Sequence, residues 1–406
     1  MRASSCPENL TLLFAGDCCP RNNAQQIIAE GKAADIFAPI QDILQSADVS
    51  LIQFETPLTS ADTPICKSGP NLKCLPNSVE LLKTWGGQVT LLANNHIGDF
   101  GSEATCETID ILQQNGFRTV GAGKNLEDAR RPLIFKEKGL TLGIINLAEN
   151  EFGGALPDQA GANPLFPFYN LSQIQELKRE VDLCIVVTHG GNEHNPVPSP
   201  RVVTMSHAFV DAGADLVVNI HTHCPQGIET WHGKPIVYSL GNFFFPNAWA
   251  DQYDPQNFWY TGYMLRCKAD RQGVFQVEAI PTHFGLPATC VEALQGDEKA
   301  AFLTYLSEIS GVLDDWKNIT LFHEAWAAGK DNYVAKFICQ ASWKEEDFQD
   351  PDKKQSLMPL RNIFTCEAHH ELACTWLKLF EQGRLEKAAE FLPELKKLQK
   401  ATFIQH

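Results

Sequence analysis

The sequence predicts an α/β fold with two packed sheets, helices outside them and a helical tail. Three observations carry this. From residue 9 to residue 116, short apolar runs alternate with helical patterns, which implies βαβ units and a largely parallel sheet. From residue 133 to about 283, apolar runs meet at turns ending in Gly, which implies hairpins and therefore mixed sheets. After about residue 290 the strands stop and amphipathic helical periodicity takes over.

Taken in order, "NLTLLFAGD" reads as a buried strand ending at Asp17, and "IFAPIQDILQS" as a helix. "DVSLIQFET" is a strand ending at Glu55, "SVELLKTWGG" a helix closed by glycines, and "QVTLLANNH" a strand ending at Asn94, Asn95 and His96. "SEATCETIDILQQNG" is a helix with Ser102 as N-cap and Gly116 just past its end. "LIFKEKGLTLGIINLAENEF" turns at Lys138-Gly139, and "GIETWHGKPIVYSLGNFFF" turns at His232-Gly233. "GYMLRCKADRQGVFQVEAIP" is a third hairpin, turning near Gln272-Gly273. Between the first two hairpins lie the helix "NLSQIQELKREVD", the strand "LCIVVTHGG" ending at His189, the helix "SPRVVTMSHAFVDAG" and the strand "ADLVVNIHTH". The tail carries the helices "DEKAAFLTYLSEISGVLDDW", "ITLFHEAWAAGK", "NIFTCEAHHELACTWLKLF" and "RLEKAAEFLPELKKLQK", with "KEEDFQDPDKKQ" as a charged loop. Two units are expected: residues 8–290, and a C-terminal helical extension, 291–406, packing on them.

Of the 406 residues, 44% are hydrophobic and 20% charged, enough for a sizeable core. The net charge of −16 repels nucleic-acid phosphates and anionic membranes, so neither is an expected partner. No run reaches the roughly 20 apolar residues that span a bilayer. "MRASSCPENLTLLFAGD" lacks the features of a signal peptide, so the cytoplasm is the default expectation. The 13 cysteines are odd in number and scattered, which speaks against a disulfide framework.

Chemistry concentrates where strands end. Five predicted strands finish on a metal- or proton-competent residue: Asp17, Glu55, Asn95 with His96, His189, and His221 with His223. A parallel sheet binds ligands beyond its carboxyl edge. Carboxylate, amide oxygen and imidazole collected there suit a divalent cation of the Mn, Zn or Fe kind.

The order of these residues resembles that of the calcineurin-like metallophosphoesterases. A closer resemblance is to the CapA family of capsule and poly-γ-glutamate synthesis proteins, carried by "GDCCPR" (16–21), "QFETPLT" (53–59), "LANNHIGDFG" (92–101), "THGGNEH" (188–194), "IHTHCPQGIE" (220–229) and "YSLGNFFF" (238–245). "AENEFGG" (148–154) and "RNIFTCEAHHEL" (361–372) also look like motifs of that family. The resemblance implies a four-layer αββα sandwich of two mixed sheets flanked by helices. It implies metal ligands at Asp17, Glu55, Asn95, His189, His221 and His223, with His96 as proton donor to the leaving group. It also implies a hydrolase acting on an ester or amide-type bond of a small anionic or peptide-like, γ-glutamyl substrate.

The chain departs from the superfamily pattern at two points. Cys19 stands where a His is usual, and the bridging acid is Glu55 rather than Asp. One position would keep Asp17, Glu55 and His223, with Cys19 as a soft ligand; the other would keep Glu55, Asn95, His189 and His221. One cation is therefore expected rather than two. The alternatives are metal-free acid–base chemistry with the same residues and a non-catalytic factor in capsule or poly-γ-glutamate synthesis.

Other residues join the site by position. Asp99 either orients His96 or caps the next helix. Glu149 and Glu151, two residues apart in extended chain, would point the same way and suit acid–base work. Arg21, Asn94, Asn192 and Glu193 are candidates for binding substrate. The aromatics Phe243–Phe245, Trp249, Tyr253, Trp259 and Tyr260 line either a pocket or the core. His207, His369 and His370 read as ordinary helix residues.

Overall fold

The computed structural model describes residues 9–246, 254–285, 290–329 and 344–404; Trp249 and Tyr253 lie outside them. In chain order the described strands are β1 (Leu10–Cys18), β2 (Val49–Phe54), β3 (Val89–Leu91), β4 (Arg118–Val120), β5 (Ala122–Gly123), β6 (Leu133–Glu137), β7 (Leu140–Ala148) and β8 (Gly161–Ala162). They continue as β9 (Leu183–His189), β10 (Leu216–Ile220), β11 (Ile228–Trp231), β12 (Lys234–Val237), β13 (Asn242–Phe244), β14 (Thr261–Asp270), β15 (Gly273–His283) and β16 (Glu292–Ala293).

Among the described residues, one main sheet runs β16-β15-β14-β1-β2-β3-β4 with β13 also on β1, and the other runs β11-β12-β10-β9-β7-β6. Both are mixed. β1 to β4 are parallel, and so are β7, β9, β10 and β12, while hairpin partners close the edges antiparallel.

Side-chain alternation builds the layers. Leu12 and Phe14 of β1 face Leu142 and Ile144 of β7, Ile185 and Val187 of β9 and Val218 of β10, forming the core between the sheets. Leu13 and Ala15, one residue out of phase, pack on Ile36, Phe37, Leu81 and Leu82 of the helices covering the first sheet. Val186 and Val217 do the same against Ile174, Val203 and Phe209 on the far side. The result is the four-layer αββα sandwich. The turns at Lys138-Gly139 and His232-Gly233 have positive φ at both residues (45° and 74°; 50° and 78°), the geometry that matches hairpin twist.

Four local expectations are revised. Ser102 is not an N-cap: the helix begins one residue earlier, as Gly101–Gln114, and Ser102 sits inside its first turn. The tail segment read as one helix breaks at Cys366, which is extended (φ −82°, ψ 126°) between helices Lys354–Thr365 and Glu367–Glu381. The charged stretch 344–355 is not a plain loop but two 3₁₀ turns running into the first of those helices. β16 adds a short strand after residue 290. The tail also shares the main core: Phe302, Tyr305, Leu306 and Ile309 of helix Gly296–Gly311 lie in the inter-sheet cluster.

One glycine fixes the sheet edge that carries the site. A Cβ on Gly16 would sit against the Gly241 carbonyl oxygen, well inside contact distance, and 3.1 Å from the Gly241 carbonyl carbon. Those are backbone atoms and cannot rotate away. Gly16→Ala is expected to cost about 1–3 kcal/mol of stability, read by urea denaturation; an unchanged midpoint would show that β1 and β13 can separate freely.

Candidate metal centre

β1 irregularly pairs with both neighbours around Asp17, where its ladder to β2 and its pairing with β13 each shift register. That bulge buries Asp17 completely at the carboxyl edge. Glu55 follows β2 and is equally buried. His189 is the last residue of β9, and β10 ends at Ile220, just before His221. His221 and His223 both carry positive φ, 102° and 55°, unusual for residues with side chains. Such backbone costs on the order of 1–3 kcal/mol per residue and concentrates at functional sites. The turn is held in part by the His221 N–H donating to Asp17 Oδ2 at 3.1 Å.

The side chains converge. His189 Nε2 lies 3.0 Å from Asn95 Oδ1, 3.0 Å from His221 Nδ1 and 3.5 Å from Glu55 Oε1. Asp17 Oδ1 is 3.6 Å from His189 Nδ1, and Asp17 Oδ2 is 3.6 Å from His223 Nδ1. Donors about 2.0–2.1 Å from one tetrahedral ion stand about 3.3 Å apart, so the spacings around His189 Nε2 are those of a ligand cage. Two groups form, Glu55 with His189 and His221, and Asp17 with Glu55 and His223; in each, the ligand atoms lie within 4.8 Å of one another. Glu55 belongs to both. Asn242 Oδ1 lies 2.8 Å from the same His223 nitrogen, Nδ1, and orients the ring; with Nδ1 so engaged, Nε2 is the atom left for a cation.

These residues fit a cation on internal grounds. Asp17 Oδ1, both Glu55 oxygens and His189 Nδ1 are buried without a hydrogen-bond partner. Buried charged groups left in that state are costly and rare. Burial lifts the Asp17 carboxyl to about 7 and pushes Glu55 well above the carboxylate range, with the Asp17 charge adding to the latter. Burial, then the neighbouring imidazoles, holds His189 well below its ordinary value and so neutral. A cation must displace the Asp17 proton below about pH 7, so metal affinity is expected to fall as the pH drops through that value. Calorimetric titration on either side of it checks this.

Behind the cage stands a group the sequence did not reveal. Lys67 Nζ, buried, lies 2.6 Å from Asp99 Oδ1 and 3.3 Å from both His96 Nδ1 and the Asn95 carbonyl oxygen. Asp99 Oδ2 is 2.7 Å from His96 Nδ1 and accepts from the Leu72 N–H. Asp99 therefore orients His96, whose Nε2 faces Glu55 Oε1 at 3.9 Å. Burial favours a neutral Asp99 carboxyl, but His96 and then Lys67 outweigh it and hold the group below its usual range. Burial, reinforced by Lys67, holds His96 below its ordinary value.

Other expected residues take different places. The Asn94 carboxamide is committed to backbone: it donates to Phe54 and Leu92 oxygens and accepts from the His96 and Ile97 N–H groups, which shapes the turn rather than facing a ligand. The Glu151 N–H turns back to the Glu149 carbonyl, yet both carboxylates reach Cys366 Sγ, Glu149 Oε2 at 3.6 Å and Glu151 Oε1 at 3.9 Å. Glu149 pairs with Arg201 at 2.5 Å and accepts from the Gly191 and Ala368 N–H groups. Glu151 instead reaches Asn95 Nδ2 (3.4 Å) and His221 Nε2 (3.9 Å). Cys19 packs in the helix-side core of the first sheet, and both ligand groups assemble without it. Arg21 is half-buried beyond β1. Phe245 and Trp259 stand against His223, and Phe243 and Phe244 pack in the core. His207 lies apart, paired with Glu229 and stacked on Trp231.

Asn192 and Glu193 line a cavity of about 210 Å³ beside His221, with His194, Trp326, His369 and Leu372. Three of those come from the tail. His369, read from sequence as an ordinary helix residue, is thus at the mouth of the centre. Cys366 and His369 were legible only as part of "RNIFTCEAHHEL", and Asn242 only as part of "YSLGNFFF".

Comparison with known proteins identifies the family. A family model described as "Bacterial capsule synthesis protein PGA_cap" matches residues 11–247, a span that includes the six candidate ligand residues and Asn242. The chain is 30% identical over 288 residues to the PGA biosynthesis protein CapA of Bacillus subtilis, covering 69% of this chain and 73% of that one. It is 30% identical over 252 residues to the capsule biosynthesis protein CapA of Bacillus anthracis, covering 60% and 61%. It is 32% identical over 216 residues to a probable polyglutamine synthesis accessory protein of Mycobacterium tuberculosis, covering 48% and 55%. The chain belongs to the PGA_cap family of bacterial capsule synthesis proteins.

Proposed function

We propose that this chain is a divalent-metal-dependent hydrolase that cleaves an ester or amide-type bond in a small anionic or γ-glutamyl, peptide-like substrate. The observation that supports it most is the convergence of four buried, unpartnered ligand atoms on Asp17, Glu55 and His189. The ligand types suit Mn, Zn or Fe, and the sharing of Glu55 by both groups favours two adjoining ions over one. A cation bound there supplies a Lewis acid and a water nucleophile at neutral pH.

The chain's own residues do the rest. Asp99 holds the His96 ring by Nδ1 and opposes the burial that keeps the ring neutral, so that Nε2, once protonated, carries the proton to the leaving group. The cavity of about 210 Å³ has room for one terminal unit of a peptide-like chain, with Asn192 at its wall. His96→Gln is expected to lower kcat about 100-fold with metal content unchanged; an undiminished kcat would remove His96 from the proton path.

A second reading, a non-catalytic factor of polymer synthesis, draws on the "accessory" name of the mycobacterial relative. Hydrolysis of a phosphodiester and of γ-glutamyl peptides, measured before and after chelation, separates the readings. Turnover lost on chelation and restored by Mn, Zn or Fe supports the hydrolase. Turnover that survives chelation yet disappears in His189→Ala points to metal-free acid–base chemistry. Tight ligand binding with no turnover favours the accessory factor. No described helix is long and apolar enough to cross a membrane.

A further inference from the structure

The tail is fastened over the centre at several points. Glu367 accepts from the Asn150 N–H and side-chain amide at 2.8 and 2.5 Å. Glu371 accepts from the Ser199 hydroxyl and from the Arg201 backbone and side chain. Arg361 donates to the Glu151 carbonyl oxygen. These contacts bring Cys366 and His369 against Glu151.

We propose that Glu151, Cys366 and His369 form a further cation site, for a borderline or soft divalent ion such as Zn²⁺ or Fe²⁺. It goes beyond the paired centre and does not require that centre to be loaded. The three ligand atoms lie within 4.8 Å of one another, Cys366 being buried and the other two half-buried. Cys366 Sγ is 3.9 Å from Glu151 Oε1 and 3.6 Å from Glu149 Oε2.

The backbone explains the convergence. Cys366 is the N-cap of helix Glu367–Glu381, and His369 is the third residue of that helix. Side chains at these two positions both lie at the open N-terminal end of the helix, which brings the thiol and the imidazole near each other. Here a thiol and an imidazole occupy them, a donor pair that suits zinc or ferrous iron and not a hard cation.

Charge is distributed to match. Glu149 has its counter-ion in Arg201, so the remaining acid at the thiol is Glu151. On binding, the Cys366 proton leaves to solvent and the thiolate becomes a ligand. Three protein donors leave a fourth position open, as in ligand-accepting zinc sites. His369 also lines the cavity beside His221, so the ion would face an anionic group of the substrate. Glu151, between Cys366 and His221, joins the tail site to the paired centre.

The test is a Co²⁺ titration of the chelator-stripped, full-length protein, followed in the near ultraviolet, where thiolate-to-cobalt charge transfer absorbs. The expected result is a thiolate-to-cobalt band that saturates at one cobalt per chain in Glu55→Gln and after no more than three in the wild type, where the paired centre also fills. It should persist in Glu55→Gln, vanish in Cys366→Ser, and need at least about 10-fold more cobalt in His369→Gln. Circular dichroism of the two tail variants confirms that they fold. No band in the wild type, or a band that survives Cys366→Ser, overturns the proposal. Persistence in Glu55→Gln keeps this outcome separate from any failure of the paired centre.

Discussion

Glu55→Gln is expected to abolish metal-dependent turnover, by on the order of 10⁴-fold or more, while making the metal-stripped protein more stable. The two effects have one cause. Both Glu55 carboxylate oxygens are fully buried with no hydrogen-bond partner, beside the buried Asp17. In the stripped chain burial and the Asp17 charge oppose ionisation of this unpartnered carboxyl, and replacing it with a neutral amide should return about 1–3 kcal/mol. In the loaded chain Glu55 belongs to both ligand groups, so its loss removes the binding that stabilises the fold. Metal at 100 times its Kd stabilises by about 2.7 kcal/mol, and Glu55→Gln should lose that gain. Thermal melts with and without metal read both terms. A variant that is less stable when stripped, or still stabilised by metal as the wild type is, would contradict this account of Glu55.

Lys67→Met is expected to cost about 3–5 kcal/mol, the effect of stranding a buried carboxylate. Lys67 and Asp99 are almost wholly buried, at 2% and 0% side-chain exposure, and are 2.6 Å apart. The single change leaves Asp99 with the Leu72 N–H and the His96 ring as its remaining side-chain partners among those described above. The double variant Lys67→Met/Asp99→Asn should recover part of the loss, because the stranded charge is gone. Urea denaturation of the wild type, both single variants and the double variant gives the coupling energy. A Lys67→Met variant within 0.5 kcal/mol of wild type, on the scale typical of surface changes, would show that the triad is not held as described.

Much of the centre could be read from the chain because of a geometric regularity. Parallel strands of one sheet end on the same edge: β1, β2 and β3 of one sheet lead into Asp17, Glu55 and Asn95, and β9 and β10 of the other lead into His189 and His221, so these residues needed only to be recognised as strand ends. The hairpins at Lys138-Gly139 and His232-Gly233 were legible for a similarly local reason, a turn chemistry that permits positive φ. What escaped depends on contacts between distant residues. Lys67 sits in an irregular segment and meets Asp99 only once the chain folds back. Glu367 and Asn150 are 217 residues apart, and no periodicity announces that pairing. The helix break at Cys366 was hidden because residues on both sides share helical periodicity. Glu149 and Glu151 meet at Cys366 Sγ although a local turn interrupts the extended chain between them, and neither that thiol nor the Arg201 partner of Glu149 is signalled near them in the sequence. Cys19 occupies the place of a usual ligand, yet strand geometry sends it to the core.

The central claim is that Glu55 is shared by two adjoining cation positions, one completed by His221 and the other by His223. Metal content per chain, measured by elemental analysis after equilibrium with limiting free Zn²⁺, tests it directly. Relative to the wild type, His221→Ala and His223→Ala should each bind one ion fewer, and Glu55→Gln two fewer. A loss of one ion or none in Glu55→Gln, or histidine variants that bind as many ions as the wild type, would contradict a shared ligand.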